Sequence, residues 1–133
     1  MRNKIIIIIL VVLATIFILN NKEEGNLIQK WYWVETQYGD GQLITPNQEF
    51  YLDFKANGIV NIGTDCNRVS GQYIEDRGLL SFSDIIMTEM YCEGSQEDVF
   101  LKMIPEVVSY FINKNNNLIL ELKYDAGSMI FKQ

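Results

Sequence analysis

Apolar and polar residues alternate in several short stretches of the chain after residue 26. Phe50, Leu52 and Phe54 alternate with other residues and precede Asn57-Gly58, a pair typical of a two-residue hairpin turn. The same alternation, or a short apolar run beside a turn, occurs over 27–34, 59–62, 73–75, 79–82, 118–124 and 129–131. The pattern predicts short antiparallel strands joined by tight turns.

One segment has helical spacing instead. Ser95 is a suitable cap, acidic residues follow it, and Val99, Phe100, Met103 and Ile104 fall on one helical face. Pro105 removes a backbone donor, so we expect the helix to end near Ile104 and a strand to follow over 108–112. A single long kinked helix through residue 112 is the alternative. The predicted fold is α+β: a small bent antiparallel β-sheet, partly barrel-like, wrapped around one main helix.

The N-terminus has a different character. Of the 15 residues from Ile5 to Leu19, only Thr15 is polar, and Arg2 and Lys4 precede them. This charge asymmetry predicts a signal-anchor or transmembrane helix over 1–22, with the N-terminus in the cytoplasm. A polar linker over 23–26 would then lead to one domain, 27–133, in the periplasm or outside the cell. A cleaved signal peptide is the alternative, although no small-residue cleavage pattern follows the run.

Composition excludes several functions of the domain. After residue 25 there are 108 residues, of which 49 are apolar, 8 basic and 15 acidic. An acidic surface repels phosphate backbones, so we expect no nucleic-acid partner. The chain contains no histidine, so Ser70 and Ser109 have no imidazole base. Acidic pairs such as Glu97 with Asp98 are interpreted as solvated rather than catalytic. The sequence therefore predicts no enzymatic activity, cofactor or metal site.

The chain has two cysteines, Cys66 and Cys92. In an exported domain an even number of cysteines favours a disulfide over a metal site. Two buried free thiols are the alternative.

Two short strings of residues carry a family resemblance. They are Cys66-Asn67-x-x-x-Gly71-x-Tyr73 and Thr88-x-Met90-x-Cys92. With Leu80-x-Phe82, Glu97-x-x-Phe100 and Leu118-x-Leu120, their order and spacing resemble the META domain family over Leu27 to Phe131. This family includes HslJ-like heat-inducible lipoproteins. The chain departs from the pattern at Asp65, where the family usually has glycine, and it lacks the lipoprotein cysteine.

The resemblance implies a bent antiparallel sheet with helical packing, and an envelope protein associated with stress tolerance, secretion or virulence. It implies no established enzymatic activity. From the residues themselves, we expect Asn67 to turn the chain and Gly71 to allow a bulge or close approach near Tyr73. Thr88 and Met90 are expected to orient the segment that carries Cys92.

Three hypotheses of function follow from these observations. The first is a membrane-tethered, non-catalytic domain that binds an envelope protein. The second is a carrier of a small apolar ligand or lipid on the concave aromatic face of the sheet. The third is an enzyme that uses acidic residues.

Overall fold

The structure, a computed structural model, describes residues 1–20 and 26–133. Its first element is helix α1, Arg2–Asn20. Across these two ranges, no helix combines the length and the apolar character that crossing a membrane requires. The anchor over 1–22 therefore stays a prediction. Of the predicted linker, 23–26, only the last residue lies among those described.

The domain is built mainly from nine strands, all paired antiparallel. They are β1 Lys30–Tyr38, β2 Leu43–Ile44, β3 Tyr51–Phe54, β4 Ile59–Gly63, β5 Arg68–Asp76, β6 Leu79–Met87, β7 Val107–Ile112, β8 Leu118–Leu122 and β9 Gly127–Lys132. Strand β1 pairs with β9 as well as with β3, so eight strands close into a barrel and the short β2 lies beside β1. The sheet was expected to be only partly barrel-like; it is closed.

Bulges bend the sheet enough to close it. One lies in β1 between Trp33 and Glu35, and another lies in β6, where the two residues between Ser83 and Ile86 face one residue of β5. Gly71 of β5 lies opposite the second bulge, where an added Cβ would be 2.5 Å from Ile85 Cδ1 and 3.2 Å from the carbonyl oxygen of Ser83. The close approach that the sequence predicted for Gly71 is present, and the bulge lies opposite it in β6.

The helical segment is shorter than the predicted main helix. Helix α2 spans Glu97–Met103, a 3-10 turn follows over Ile104–Glu106, and β7 begins at Val107. The prediction that Pro105 ends the helix is confirmed, and the long kinked helix is wrong. With seven residues, α2 acts as a plug inside the barrel: Phe100 is fully buried, and its ring centre lies 5.0 Å from that of Trp33 and 5.1 Å from that of Phe50.

The first strand begins later than predicted. Asn26 accepts a hydrogen bond from the backbone N–H of Ile28, and the N–H of Gln29 binds the carbonyl of Leu27, so 26–29 form a turn. Strand β1 starts only at Lys30.

The strand directions give the barrel two distinct ends. The chain enters at one end, called here the entry end, which holds 26–29, the turns at 55–58, 76–78 and 113–117, and the end of β9. The loop end lies opposite and holds 39–42, 64–67, 88–96 and 123–126.

Candidate functional site

The loop end contains a buried polar cluster centred on Asn67 and Glu97, which are 6% and 4% exposed. Asn67 lies just before β5, and Glu97 is the first residue of α2. The side-chain amide of Asn67 donates to Glu97 Oε1 at 2.6 Å, and the backbone N–H of Asn67 donates to Oε2 at 2.7 Å. The Thr64 hydroxyl also donates to Oε2, at 2.5 Å. The buried carboxylate thus accepts three hydrogen bonds.

Asn67 also binds the segment that follows β6. Its Oδ1 accepts the backbone N–H of Met90 at 2.8 Å and the hydroxyl of Thr88 at 2.9 Å. Its amide nitrogen is 3.2 Å from the carbonyl oxygen of Met90. In the described part of the chain, every buried side-chain nitrogen or oxygen has a hydrogen-bond partner. Asn67 therefore joins the start of β5, α2 and segment 88–92 in one satisfied network.

The predicted disulfide between Cys66 and Cys92 is present, with an S–S distance of 2.03 Å and a Cα–Cα distance of 5.8 Å. The alternative of two free thiols does not hold in this structure. Two consecutive residues, Cys66 and Asn67, therefore hold segment 88–92, the first covalently and the second through hydrogen bonds.

Apart from the two cysteines, the five residues of the family strings do not form one site. Asn67, Thr88 and Met90 come together, although Met90 does so only through its backbone and its side chain is 56% exposed. Gly71 lies farther along β5. Tyr73 lies near the entry end, where its hydroxyl donates to the carbonyl of Lys55 at 2.6 Å. Burial, followed by the negative charge of Glu75, raises the pKa of Tyr73.

Sequence reasoning misplaced one member of the cluster and missed another. Glu97 was interpreted as a solvated carboxylate, but it is buried, whereas its neighbour Asp98 is exposed. Thr64 precedes the first family string in the sequence but was not predicted as a site residue. A signal for Glu97 was present, because it lies three residues before the buried Phe100 and so shares its helical face.

The hydrogen bonds to Glu97 favour its charged form. Burial is the largest influence and raises the pKa of the carboxyl, and the negative charge of Asp65 also raises it. The bonds from Thr64 and Asn67 together outweigh both, so the pKa lies below the usual value of 4.5. Glu97 is therefore ionised at neutral pH and its oxygens already accept hydrogen bonds. This arrangement suits a structural carboxylate rather than a general acid or base.

Glu97 should make the domain sensitive to acid. Since its folded pKa is lowered, its contribution to stability is complete above the unfolded value near 4.5 and is lost as the pH falls through the folded value. We expect Glu97→Gln to lower the free energy of unfolding by about 1 to 2 kcal/mol at neutral pH, because the new amide faces donors. It should also flatten the acid limb of stability against pH, measured by urea unfolding.

The matched control is Asp98→Asn, which removes an exposed charge from the same helical turn. This variant should keep the acid limb of the wild-type protein. An unchanged acid limb in Glu97→Gln would contradict the role assigned to the buried carboxylate.

Asp65, the departure from the family glycine, holds the start of α2. Its Oδ2 accepts the backbone N–H of Gln96 at 2.9 Å, and its Oδ1 accepts the hydroxyl of Ser95 at 2.5 Å. The Ser95 oxygen in turn accepts the N–H of Glu97 at 3.0 Å. Ser95 was predicted to cap the helix. The helix begins one residue later, after Gln96, and Asp65 shares the capping.

Replacing Asp65 with alanine should lower the free energy of unfolding by about 1 kcal/mol, the usual effect of losing a helix cap. Asp65→Asn keeps an acceptor oxygen and should lose less than half of that. Thermal and urea unfolding of both variants measure the difference, and equal losses would contradict a capping role.

A cleft of about 330 Å³ adjoins the cluster, lined by the disulfide and by residues of 87–98. Within the described ranges, no group of three or more histidine, cysteine or acidic side chains is placed to hold a metal ion. The cleft lies at the loop end, and its wall contains carboxylate, amide and thioether groups.

These features define a class of protein: a closed antiparallel β-barrel plugged by a short helix, with its loop end held by a disulfide and a buried Asn–Glu cluster. The META domain family model matches residues 26–133, and the chain belongs to this family.

Two solved structures share the fold. A protein from Burkholderia xenovorans, solved by NMR, is 19% identical with a TM-score of 0.66, over 79% of this chain and 81% of that one. A DUF4847 family protein from Bacteroides vulgatus, solved by crystallography, is 14% identical with a TM-score of 0.60, over 78% and 91% of the two chains. Among curated proteins, no significant match was found.

Proposed function

We propose that the protein is a membrane-tethered, non-catalytic domain of the cell envelope that binds another envelope protein, in stress tolerance or secretion. In this proposal the N-terminus stays in the cytoplasm and the barrel lies in the periplasm or outside the cell. Membership of the META family supports the general class. The tether and the binding role are supported by two exposed apolar surfaces, one on α1 and one at the loop end.

The tether is supported by the first half of α1. Its side chains from Ile5 to Leu13 are all apolar and each is between 49% and 61% exposed. Among the described residues, the hydrophobic core begins only at Leu27. Nine consecutive exposed apolar side chains require an apolar environment that the barrel does not provide.

Fractionation of cells that express the full chain tests the tether. We expect the protein in the membrane fraction after alkaline carbonate washing, with its N-terminus intact. A variant with Ile9→Lys and Val11→Lys should leave that fraction, because each charge costs about 3 kcal/mol in the centre of a bilayer. Full-length protein in the soluble cytoplasmic fraction, with both thiols reduced, would overturn the tether.

The binding role rests on one observation at the loop end. Met87, Met90 and Tyr91 are 43%, 56% and 91% exposed, and together they are called here the loop surface. Their backbone does not move freely, because Asn67 binds Met90 and the disulfide holds Cys92. A segment whose backbone is already fixed loses little backbone entropy when it binds a partner, and exposed methionine and aromatic side chains provide adaptable apolar contacts.

The surroundings of the loop surface indicate the chemistry of that partner. Glu89 and Glu93 lie exposed beside it, so a partner with basic groups around an apolar centre is complementary. In addition, β6 pairs with β7 only at Leu79 with Ser109, so no described strand pairs with that edge of β6 over 83–87. An extended segment of an envelope protein, basic and apolar, can therefore pair with this edge and reach the loop surface.

A photocrosslinking amino acid at position 91 tests this role, with position 124 as the matched control, because Tyr91 and Tyr124 are 91% and 92% exposed. In native membranes we expect a crosslinked protein from position 91 and not from position 124. Charge reversal of Glu89 and Glu93 to lysine should reduce the product several-fold. Equal crosslinking from both positions, or lipid alone from position 91, would overturn the binding role.

The carrier hypothesis has less support. The concave face of the sheet is filled by the protein's own rings, since Trp31, Phe54, Phe100 and Phe131 are at most 1% exposed. An apolar cleft of about 280 Å³ does lie outside the barrel core, lined by Tyr38, Val99 and Met103 among others. Lipid recovered with the purified domain, and displaced by a bulky residue at Val99, would favour the carrier.

A further inference from the structure

We propose that the entry end of the barrel rests against anionic lipid headgroups, so that the loop surface points away from the membrane. This inference rests on the proposed tether and adds to it the orientation of the domain. It follows from the distribution of charge between the two ends of the barrel.

Basic side chains concentrate at the entry end. Of the eight basic residues after residue 25, five lie there, all of them exposed. They are Lys30, Lys55, Arg77, Lys114 and Lys132, at the start of β1, in three turns and at the end of β9.

Few acidic residues oppose them. Three of the fifteen acidic residues lie near the entry end, and two of these are paired: Asp53 with Lys55 at 2.8 Å and Asp76 with Arg77 at 3.1 Å. The third, Glu75, accepts the backbone N–H of Gly78 and the hydroxyl of Tyr110. No salt bridge of the described residues involves Lys114 or Lys132, so their charges are available to a partner.

The rest of the domain has the opposite charge. It carries the other twelve acidic residues and only Arg68, Lys102 and Lys123 as basic residues. With five basic and three acidic side chains among the described residues, the entry end is the positive one. An anionic surface attracts nearby basic side chains by about 1 kcal/mol each and repels the acidic end. The attraction and the repulsion both orient the barrel with its entry end toward the membrane.

The dimensions of the barrel make this orientation matter. The nine residues of β5 span roughly 30 Å, so the two ends differ greatly in their distance from the bilayer. Since salt screens charge within about 10 Å, only the end near the lipid feels the surface. With the entry end against the membrane, the loop surface faces away from the lipid, where a protein partner can reach it.

Energy transfer to labelled lipid headgroups tests the orientation. The full chain is reconstituted into vesicles of phosphatidylcholine, alone or mixed with phosphatidylglycerol. A fluorescent amino acid replaces Ala56 at the entry end or Tyr124 at the loop end, both exposed. In the anionic vesicles we expect transfer from position 56 to exceed that from position 124 at least about twofold, and high salt to reduce the difference.

Charge variants separate orientation from mere tethering. Lys114→Glu with Lys132→Glu should bring the ratio close to one in anionic vesicles. The matched control, Arg68→Glu with Lys102→Glu, changes charge equally away from the entry end and should keep the ratio. Equal transfer from both positions in protein that floats with the vesicles would overturn the orientation and leave the tether standing. Protein that does not float with either vesicle would overturn the tether itself.

Discussion

Replacing Asn67 with alanine is expected to lower the free energy of unfolding by about 3 to 5 kcal/mol, the largest effect of any single substitution in the loop end. The change removes the amide donor to Glu97 and the acceptor for the N–H of Met90. A buried carboxylate and a backbone N–H then lose partners at once. Urea unfolding at neutral pH measures the loss.

Two further variants make this prediction specific. Asn61→Ala removes an exposed asparagine from β4, and its effect should stay within about 0.5 kcal/mol. In the double variant Asn67→Ala with Glu97→Gln, the losses should be less than additive, because the charge that Asn67 satisfies is already gone. Additive losses, or an Asn67→Ala variant as stable as the wild-type protein, would contradict the network.

Removing the disulfide is expected to cost about 3 to 4 kcal/mol of stability, the value that the chain-entropy model gives for a loop of this length. Cys66 and Cys92 are 26 positions apart, so the crosslink restricts a sizeable part of the unfolded chain. The variant carries alanine at both cysteines and is compared by urea unfolding with the wild-type protein.

A reducing agent provides the internal control. It should lower the stability of the wild-type protein toward that of the double alanine variant and leave the variant unchanged. Mass spectrometry after thiol labelling should find no free cysteine in protein from an oxidising compartment. Two labelled cysteines there, or a reductant effect on the variant, would contradict the assignment.

Both changes also bear on the proposed function. The disulfide and Asn67 fix the same segment, on which Met90 and Tyr91 are exposed. If a partner recognises a fixed loop surface, either change should weaken crosslinking from position 91 even where the barrel is still folded. This dependence distinguishes a shaped surface from adventitious apolar contact.

Several features of this protein were predictable because they depend on neighbours in sequence. The Asn57-Gly58 turn joins β3 to β4 as expected, since a two-residue turn and a period of two require only local residues. Pro105 ends α2 because it lacks the donor that the next turn would need. The pairing of Cys66 with Cys92 followed from there being two cysteines in a domain predicted to be exported.

The errors at the polar cluster concern partners that are distant in sequence. Glu97 resembles any acidic residue in a first helical turn until the β4–β5 turn brings Thr64 and Asn67 against it. Nothing in the sequence around Asp65 indicated that its carboxylate would accept a hydrogen bond from the start of a helix some thirty residues later. Hydrogen bonds between such segments produce no periodic spacing of residue types in the sequence, so an analysis of sequence patterns does not detect them.

The amino-acid sequence by itself therefore determined most of the strands though not all of their bounds, the hairpin turns, the end of the helix and the family, because period, turn chemistry and motif spacing are local properties. Only the tertiary structure decided that the sheet closes, that Glu97 is buried and that the basic residues gather at one end of the barrel. Closure depends on β1 pairing with β9, strands from opposite ends of the domain. Long-range pairing of this kind is stabilised by the packing of the whole core around Phe100.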